Sequence, residues 1–345
     1  MIISRTPFRV TLGGGGTDLP SYYSQHGGFI LAAALNKYMF INVNRPVVDD
    51  LVRVKYSKSE MVSHRDQLEH EIAREALRMT GVERGIELIS LADVPAGTGL
   101  GSSSCYAVGL LNALHTMKRD PIGLQELAEE ACYLEIERLR KPIGKQDQYM
   151  AVFGGITILE IARDGKVKVS PAPVSQATVE DLERNLLLFY TGTTRSNLDI
   201  LAEQSQAAAE KAPVVVDSLH RIKEMGYAIK EMLAQGNLTD FGLAMDKHWQ
   251  LKKRMSNKIS DPGFDRLYEL ARENGALGGK ISGAGGGGFF TFYTENRHQQ
   301  LRKAMCAAGL REMRYRFDFE GTKILVNLMD GIFTDGGAFP WQAHA

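Results

Sequence analysis

The residues best suited to chemistry lie in three glycine-rich runs and around one aspartate. In Pro95-Ala96-Gly97-Thr98-Gly99-Leu100-Gly101-Ser102-Ser103-Ser104, three alternating glycines lead into three serines. The apolar spacing of Cys105 to Leu111 behind them predicts a helix. A glycine loop that opens a helix presents unpaired N–H groups and the positive end of the helix dipole, a combination suited to phosphate. The serine hydroxyls can cap the helix or reach a metal ion beside that phosphate. A tight turn with a serine cap is the plain structural reading of the same residues. No Gly-Lys-Ser/Thr follows, so the run is not a Walker A loop. Its third glycine falls one residue short of the dinucleotide-binding spacing.

The second run, Gly13 to Gly16, precedes Thr17 and Asp18. Four glycines lower stability and bring backbone close to a ligand, whose hydroxyls Asp18 could hold; a flexible loop is the competing reading. The third run is Lys280-Ile281-Ser282-Gly283-Ala284-Gly285-Gly286-Gly287-Gly288, ahead of an apolar stretch. Asp147 follows the break at Pro142 and Gly144. Both a helix cap and a catalytic carboxylate are open for it.

These residues need elements to hold them. Residues 1–12 read as a strand, with Arg5 and Arg9 on one face by period two. Strands are expected over 29–43, 52–56 and 85–91, and helices over 67–79, 102–117 and 124–139, the last mostly carrying surface glutamates. Residues 155–161 and 166–169 read as a hairpin, and 170–177 as a linker. A buried strand over 185–191 leads into a polar loop with Arg195. Helices follow over 197–211, 214–234 and 238–255, then strands over 289–293 and 324–328. Lys247, His248, Trp249, Lys252, Lys253 and Arg254 on the third of these helices read as a solvated face.

The 345 residues allow two domains, and 44% hydrophobic with 24% charged residues is ordinary for a globular protein. Forty-one basic residues balance 41 acidic ones, which removes a global drive toward nucleic acid or an anionic membrane. Cys105, Cys132 and Cys306 suggest neither a disulfide framework nor a zinc site. With no signal-peptide pattern and no apolar run of about 18 residues, a cytoplasmic location is expected.

The three runs and the aspartate, taken in order, resemble the small-molecule kinase superfamily named for galactokinase, homoserine kinase, mevalonate kinase and phosphomevalonate kinase. Thr6 to Val10 through Thr17-Asp18, Pro95 with Gly99 to Ser103, and residues 280–288 match its three motifs. Within it the chain is most similar to the D-glycero-D-manno-heptose 7-phosphate kinases, through Gly13 to Asp18, Ala34 to Tyr38 and Gly144 to Gln148. L-fucokinases share part of the first pattern. Gly15 and Gly16 stand where galactokinase has Glu-His, which argues against galactose.

The resemblance implies an α+β fold: a domain like domain 2 of ribosomal protein S5 over 1–178, binding ATP, and a ferredoxin-like domain over 179–345. It implies transfer of the γ-phosphoryl group of ATP to the anomeric hydroxyl of a sugar phosphate, with Mg²⁺. Asp147 would accept the hydroxyl proton, and Arg9 would support it and stabilise the transferring charge. Pro95, Gly97, Gly99, Leu100, Gly101, Ser102, Ser103 and Ser104 would form the ATP loop. Ser103 and Glu135 would face the metal, with Glu137 as the alternative carboxylate. Gly14, Gly15, Gly16, Thr17, Asp18, Gly283, Gly285 and Gly286 would lie against the sugar. Arg195, then Lys145, are the candidates for its distal phosphate. A dinucleotide-dependent oxidoreductase and a non-catalytic sugar-binding regulator are the rival classes. The glycine spacing counts against the first, and the presence of Asp147, Ser103 and Glu135 against the second. No nucleic-acid or membrane partner is expected, and a homodimer is open.

Overall fold

The computed structural model describes residues 1–192, 197–210, 212–256 and 258–328. Its strands are β1 (Ile2–Gly13), β2 (Gly28–Asn44), β3 (Val52–Lys55), β4 (Ser59–Val62), β5 (Ile86–Ala92), β6 (Ile156–Ile161), β7 (Val167–Pro171), β8 (Leu186–Tyr190), β9 (Gly278–Ile281), β10 (Phe289–Tyr293), β11 (Arg311–Met313) and β12 (Lys323–Asn327). Its helices are α1 (Pro20–His26), α2 (Glu71–Met79), α3 (Ser102–Lys118), α4 (Leu124–Cys132), α5 (Gln146–Phe153), α6 (Gln176–Asn185), α7 (Asn197–Ala209), α8 (Pro213–Ala234), α9 (Leu238–Lys253), α10 (Pro262–Glu273) and α11 (His298–Ala307).

Two sheets organise them. The first runs β12-β1-β2-β5-β3-β4, with β6 and β7 branching from β2. The second is antiparallel, in the order β11-β8-β10-β9. The fold is α+β, as expected. The first sheet does not stop at residue 178, however. β12 pairs antiparallel with β1, so the chain returns to the first sheet after completing the second. A contiguous cut at that point therefore divides sheet elements that belong together. The hydrophobic core also crosses it: Leu186, Leu188, Phe289 and Tyr293 pack in the same cluster as Val10 and Leu110.

β1 is buried from Thr6 onward, covered by α3, α5 and α8. Arg5 and Arg9 do not share a task despite their spacing. Arg5 pairs with Asp318 and Glu320 beside β12, whereas Arg9 turns to α5. α3 is buried nearly all round, from Ser104 through Leu114 with few exceptions. The helix expected over 124–139 divides into α4 and a single π-helical turn, Tyr133–Arg138. Such turns absorb one extra residue and recur at functional sites. Here the turn carries Glu135.

Candidate active site

Arg9 and Asp147 meet face to face. The Arg9 guanidinium donates from Nε to Oδ1 and from Nη2 to Oδ2, each at 2.7 Å. Its remaining nitrogen, Nη1, donates to the Gly99 carbonyl at 2.6 Å. The arginine side chain is 4% exposed and the aspartate 25%, so the pair is anchored from within while the carboxylate reaches the cleft. Such a bidentate pair fixes orientation as well as charge.

Asp147 is not the cap of α5. That helix starts at Gln146, and the capping acceptor comes from far away in sequence: Asp18 Oδ2 takes the Gln146 N–H at 3.1 Å. Asp18 Oδ1 takes the Gly16 N–H at 3.3 Å. Burial pushes the Asp18 carboxyl above its usual range, and the Gln146 N–H pulls it partly back. Gln146 links the two walls, accepting from Thr11 at 2.7 Å and donating to Asp147 Oδ1 at 3.0 Å. Asp18 therefore lines the cleft and also positions the helix that carries Asp147.

The serine loop abuts the same carboxylate. Gly101, the left-handed residue that opens α3, lies so near that a Cβ there would be 3.2 Å from Asp147 Oδ2. A phosphate at the α3 N-terminus and a hydroxyl at Asp147 would thus be neighbours. Within the loop the roles divide. Ser103 is exposed on the first turn, while Ser104 is buried and donates to Glu135 Oε2 at 2.7 Å. Leu100 is a buried anchor whose carbonyl accepts the Arg9 N–H at 3.2 Å. The side chains of Leu100 and Ser104 are therefore unavailable to a nucleotide.

Glu135 is fully buried. Its Oε2 also accepts from Gln148 at 2.7 Å, whereas Oε1 has no hydrogen-bond donor and only Lys141 Nζ at 3.6 Å. Among the described residues no group of three or more His, Cys, Asp or Glu gathers as a metal cluster. Mg²⁺ characteristically takes one or two carboxylates and completes its shell with phosphate oxygens and water. A carboxylate and a serine hydroxyl are donors of that hard-oxygen kind; in the structure Glu135 Oε1 keeps no hydrogen-bond donor, and the serine that reaches Glu135 is Ser104, with Ser103 exposed beside it.

The third glycine run closes over the serine loop. Gly283 (φ 68°) and Gly99 (φ 78°) touch backbone to backbone; a Cβ on Gly283 would fall 2.7 Å from Gly99 Cα. Only residues without a Cβ allow that approach. Gly15, Gly16, Asp18, Asp147 and Gly283 all line one pocket. Other expected sugar contacts turn away from it. Gly14 lies against the Phe29 carbonyl, where a Cβ would sit 1.9 Å from the oxygen. Thr17 is buried and donates to the carbonyls of Gly14 and Phe29 at 2.8 Å each. Gly285 and Gly286 pack on Ile259. Lys145 commits its ammonium to Glu129 at 2.8 Å and to the Gly165 carbonyl at 2.8 Å, away from the pocket wall. Arg195 lies outside the described residues.

The sequence reading missed three bases in the wall. His248, Lys252 and Lys280 line the pocket and are 2%, 8% and 3% exposed. Of the residues expected in solvent on α9, Lys247 and Arg254 are exposed, but His248, Trp249 and Lys252 are buried alongside Phe241 and Met245. The signal was available: the three-to-four-residue spacing of Leu238, Phe241 and Met245 continues through His248 and Lys252. Burial, reinforced by Arg9, lowers Lys252 to about 7. Burial with Lys252 and Arg9 nearby holds Lys280 well below the usual lysine range, and burial with both lysines holds His248 well below the usual histidine range.

Residues 67–155 match the GHMP kinases N terminal domain and residues 228–310 the GHMP kinases C terminal domain. The D-glycero-alpha-D-manno-heptose 7-phosphate kinase of Campylobacter jejuni is 30% identical over 337 residues, covering 93% of this chain and 97% of that protein. A structure from C. jejuni described as a putative sugar kinase superposes with a TM-score of 0.74 at 28% identity, covering 94% and 97% of the two chains. The fold is shared with a structure described as a D-glycero-D-manno-heptose 1-phosphate kinase from Bacteroides thetaiotaomicron, with a TM-score of 0.76 at 24% identity, covering 95% and 100%. Arg9 clasping Asp147 beside the opening of α3, together with these matches, places the chain in the GHMP kinase family.

Proposed function

We propose that the chain transfers the γ-phosphoryl group of ATP to the anomeric hydroxyl of D-glycero-D-manno-heptose 7-phosphate, giving the 1,7-bisphosphate. The observation that carries the chemistry is the approach of Gly101 to Asp147, which sets the N-terminus of α3, suited to a phosphate, against a carboxylate that lines the pocket. The sugar identity rests on the near full-length similarity to the C. jejuni heptose 7-phosphate kinase. The reading places the reaction in the cytoplasm, where it would supply a precursor of capsule or lipopolysaccharide.

In this reading Asp147 accepts the O1 proton as the O1 lone pair forms its bond to the γ-phosphorus. The bond from that phosphorus to the β,γ-bridging oxygen breaks, and ADP carries the electron pair away. Arg9 keeps Asp147 in register through both oxygens and leaves one nitrogen on the loop carbonyl of Gly99. The backbone N–H groups of residues 97–103 hold phosphate oxygens, with Gly101, Ser102 and Ser103 at the helix opening. Ser103 and Glu135 would hold Mg²⁺, which supplies charge neutralisation on the phosphates when bound. Asp18, with Gly15 and Gly16, faces the sugar.

The test is turnover on a panel of heptose 7-phosphate, free heptose, mannose and fucose, with the product phosphate located by phosphorus NMR. Coupling of the new phosphate to the anomeric proton of the heptose phosphate is expected. Equal or faster turnover of fucose would refute the substrate assignment.

A further inference from the structure

We infer that Lys252, Lys280 and His248 form the seat for a dianionic phosphate monoester, the acceptor's own phosphate. This seat rests on the reading above that the acceptor is a phosphorylated sugar, and it takes the role for which Lys145 is the second candidate in the sequence, after Arg195.

Lys280 enters from β9 and Lys252 from the end of α9, and both are buried in the pocket wall. Lysine is almost never buried without a partner of opposite charge. Neither ammonium here has one among the described residues. Lys280 Nζ meets His248 Nδ1 at 3.2 Å and the Leu12 carbonyl at 3.5 Å. Lys252 donates to the Gly283 carbonyl. The charged groups that act on them are other cations: Arg9 on both, and Lys252 on Lys280.

The pocket's carboxylates are engaged elsewhere. Asp147 is held by Arg9, and Asp18 accepts from the backbone of Gln146 and Gly16. With His248 neutral, the pocket sets three basic side chains, Arg9, Lys252 and Lys280, against two acidic ones, Asp18 and Asp147, and Arg9 is already paired with Asp147. Buried charges are paired or bind a ligand; the missing partner here is an anion supplied from outside. A dianion between the two ammonium groups would favour their protonated forms and reverse the effect of burial.

Two phosphates could meet these lysines: the acceptor's own and the one being transferred. The pocket wall favours the first. None of residues 97–104, which would hold the nucleotide's phosphates, lines this pocket, whereas Gly15, Gly16 and Asp18 do. An acceptor with its anomeric oxygen at Asp147 and its phosphate on Lys252 and Lys280 would have both ends on residues that line this one pocket.

The experiment uses the full chain with Mg²⁺ and a non-hydrolysable ATP analogue that fills the γ-phosphate position. Inorganic phosphate is titrated in by calorimetry, for wild type, Lys252→Met and Lys280→Met. One site is expected in wild type, with binding weakened about 10- to 150-fold in each variant, the range for a charge-assisted contact. In parallel, the ratio of kcat/KM for heptose 7-phosphate over free heptose should fall by a similar factor. Methionine removes a buried unpaired charge while keeping the length, so the variants should fold and raise Tm. No phosphate binding in wild type, or unchanged binding in both variants, overturns the seat. An equal loss on both sugars with a raised KM for ATP reassigns the lysines to the transferred phosphoryl group and also overturns it. Phosphate binding that needs both lysines in a protein that ignores heptose 7-phosphate would retain the seat and reject the substrate.

Discussion

Replacing Asp147 by Asn is the sharpest test of the proposed chemistry. The amide keeps the size and one oxygen, so Oδ1 can still accept from Arg9 Nε and from Gln146 Nε2, at 2.7 and 3.0 Å in the native protein. The other atom becomes an NH₂ facing Arg9 Nη2, where the native bond is 2.7 Å. Two effects follow. Loss of a general base lowers the rate by about 10²–10⁴-fold. Arg9, 4% exposed, also loses its counter-charge. Removing one partner of a fully buried pair costs about 3–5 kcal/mol, but Asp147 is 25% exposed and water reaches it, so a smaller penalty is expected. The assay is kcat and KM for both substrates together with Tm. A kcat loss of at least about 100-fold, with KM for sugar changed far less, is expected, because the proton moves only in the transition state. The variant must melt cooperatively for the comparison to stand. A well-folded Asp147→Asn protein retaining more than about a tenth of wild-type kcat, far outside the general-base range, would refute the assignment and reduce Asp147 to a partner that merely orients Arg9.

Three further outcomes are expected. Glu135→Gln and Ser103→Ala should each raise the Mg²⁺ concentration needed for half-maximal rate, read from rate against free Mg²⁺; an unchanged midpoint in both removes them from the metal site. Lys252, lowered by burial to about 7 when folded against 10.5 for an ordinary lysine, makes the unfolded chain bind one more proton between those values. Stability should therefore rise with pH above 7 by about 1.4 kcal/mol per unit from this group, and Lys252→Met should remove that rise in urea titrations from pH 7 to 9. Parallel curves for the two proteins would show that Lys252 is not held down by burial. Gly283→Ala puts a Cβ 2.7 Å from Gly99 Cα at a left-handed φ. It should lower Tm and raise KM for ATP together, and an unaffected KM would mean that the two loops are not coupled.

What the sequence disclosed was local. Alternating glycines before a helical apolar run located the loop and α3 because both signals lie within some twenty consecutive residues. Arg9 and Asp147, 138 positions apart, came together through the family motifs and not through any periodicity. Long-range packing hid the rest. Which of three adjacent serines turns inward depends on how α3 lies against the π-helical turn, and that geometry selects Ser104 for Glu135. Lys145 looked free because Glu129, its partner, sits one helix earlier and was read as surface charge. His248 and Lys252 were assigned to solvent because their charge was weighed above their register on α9. The return of β12 to β1 has no local sign at all.

The contact of Gly99 with Gly283 joins the two sides of the cleft at bare main chain, and each carbonyl is gripped from the active-site side. Arg9 holds the Gly99 carbonyl, and Lys252 holds that of Gly283. This seam is therefore a latch held from the acceptor's side and open to the nucleotide's. In the proposed reaction Arg9 is bound to the carboxylate that would meet the acceptor's hydroxyl, Lys252 would meet the acceptor's phosphate, and Gly99 belongs to the loop that would meet the nucleotide. Shifting either loop would then change the fit of the other, and the two substrates would bind with a shared coupling free energy. Reciprocity then fixes the outcome: by whatever factor nucleotide sharpens affinity for sugar, sugar must sharpen affinity for nucleotide by the same factor.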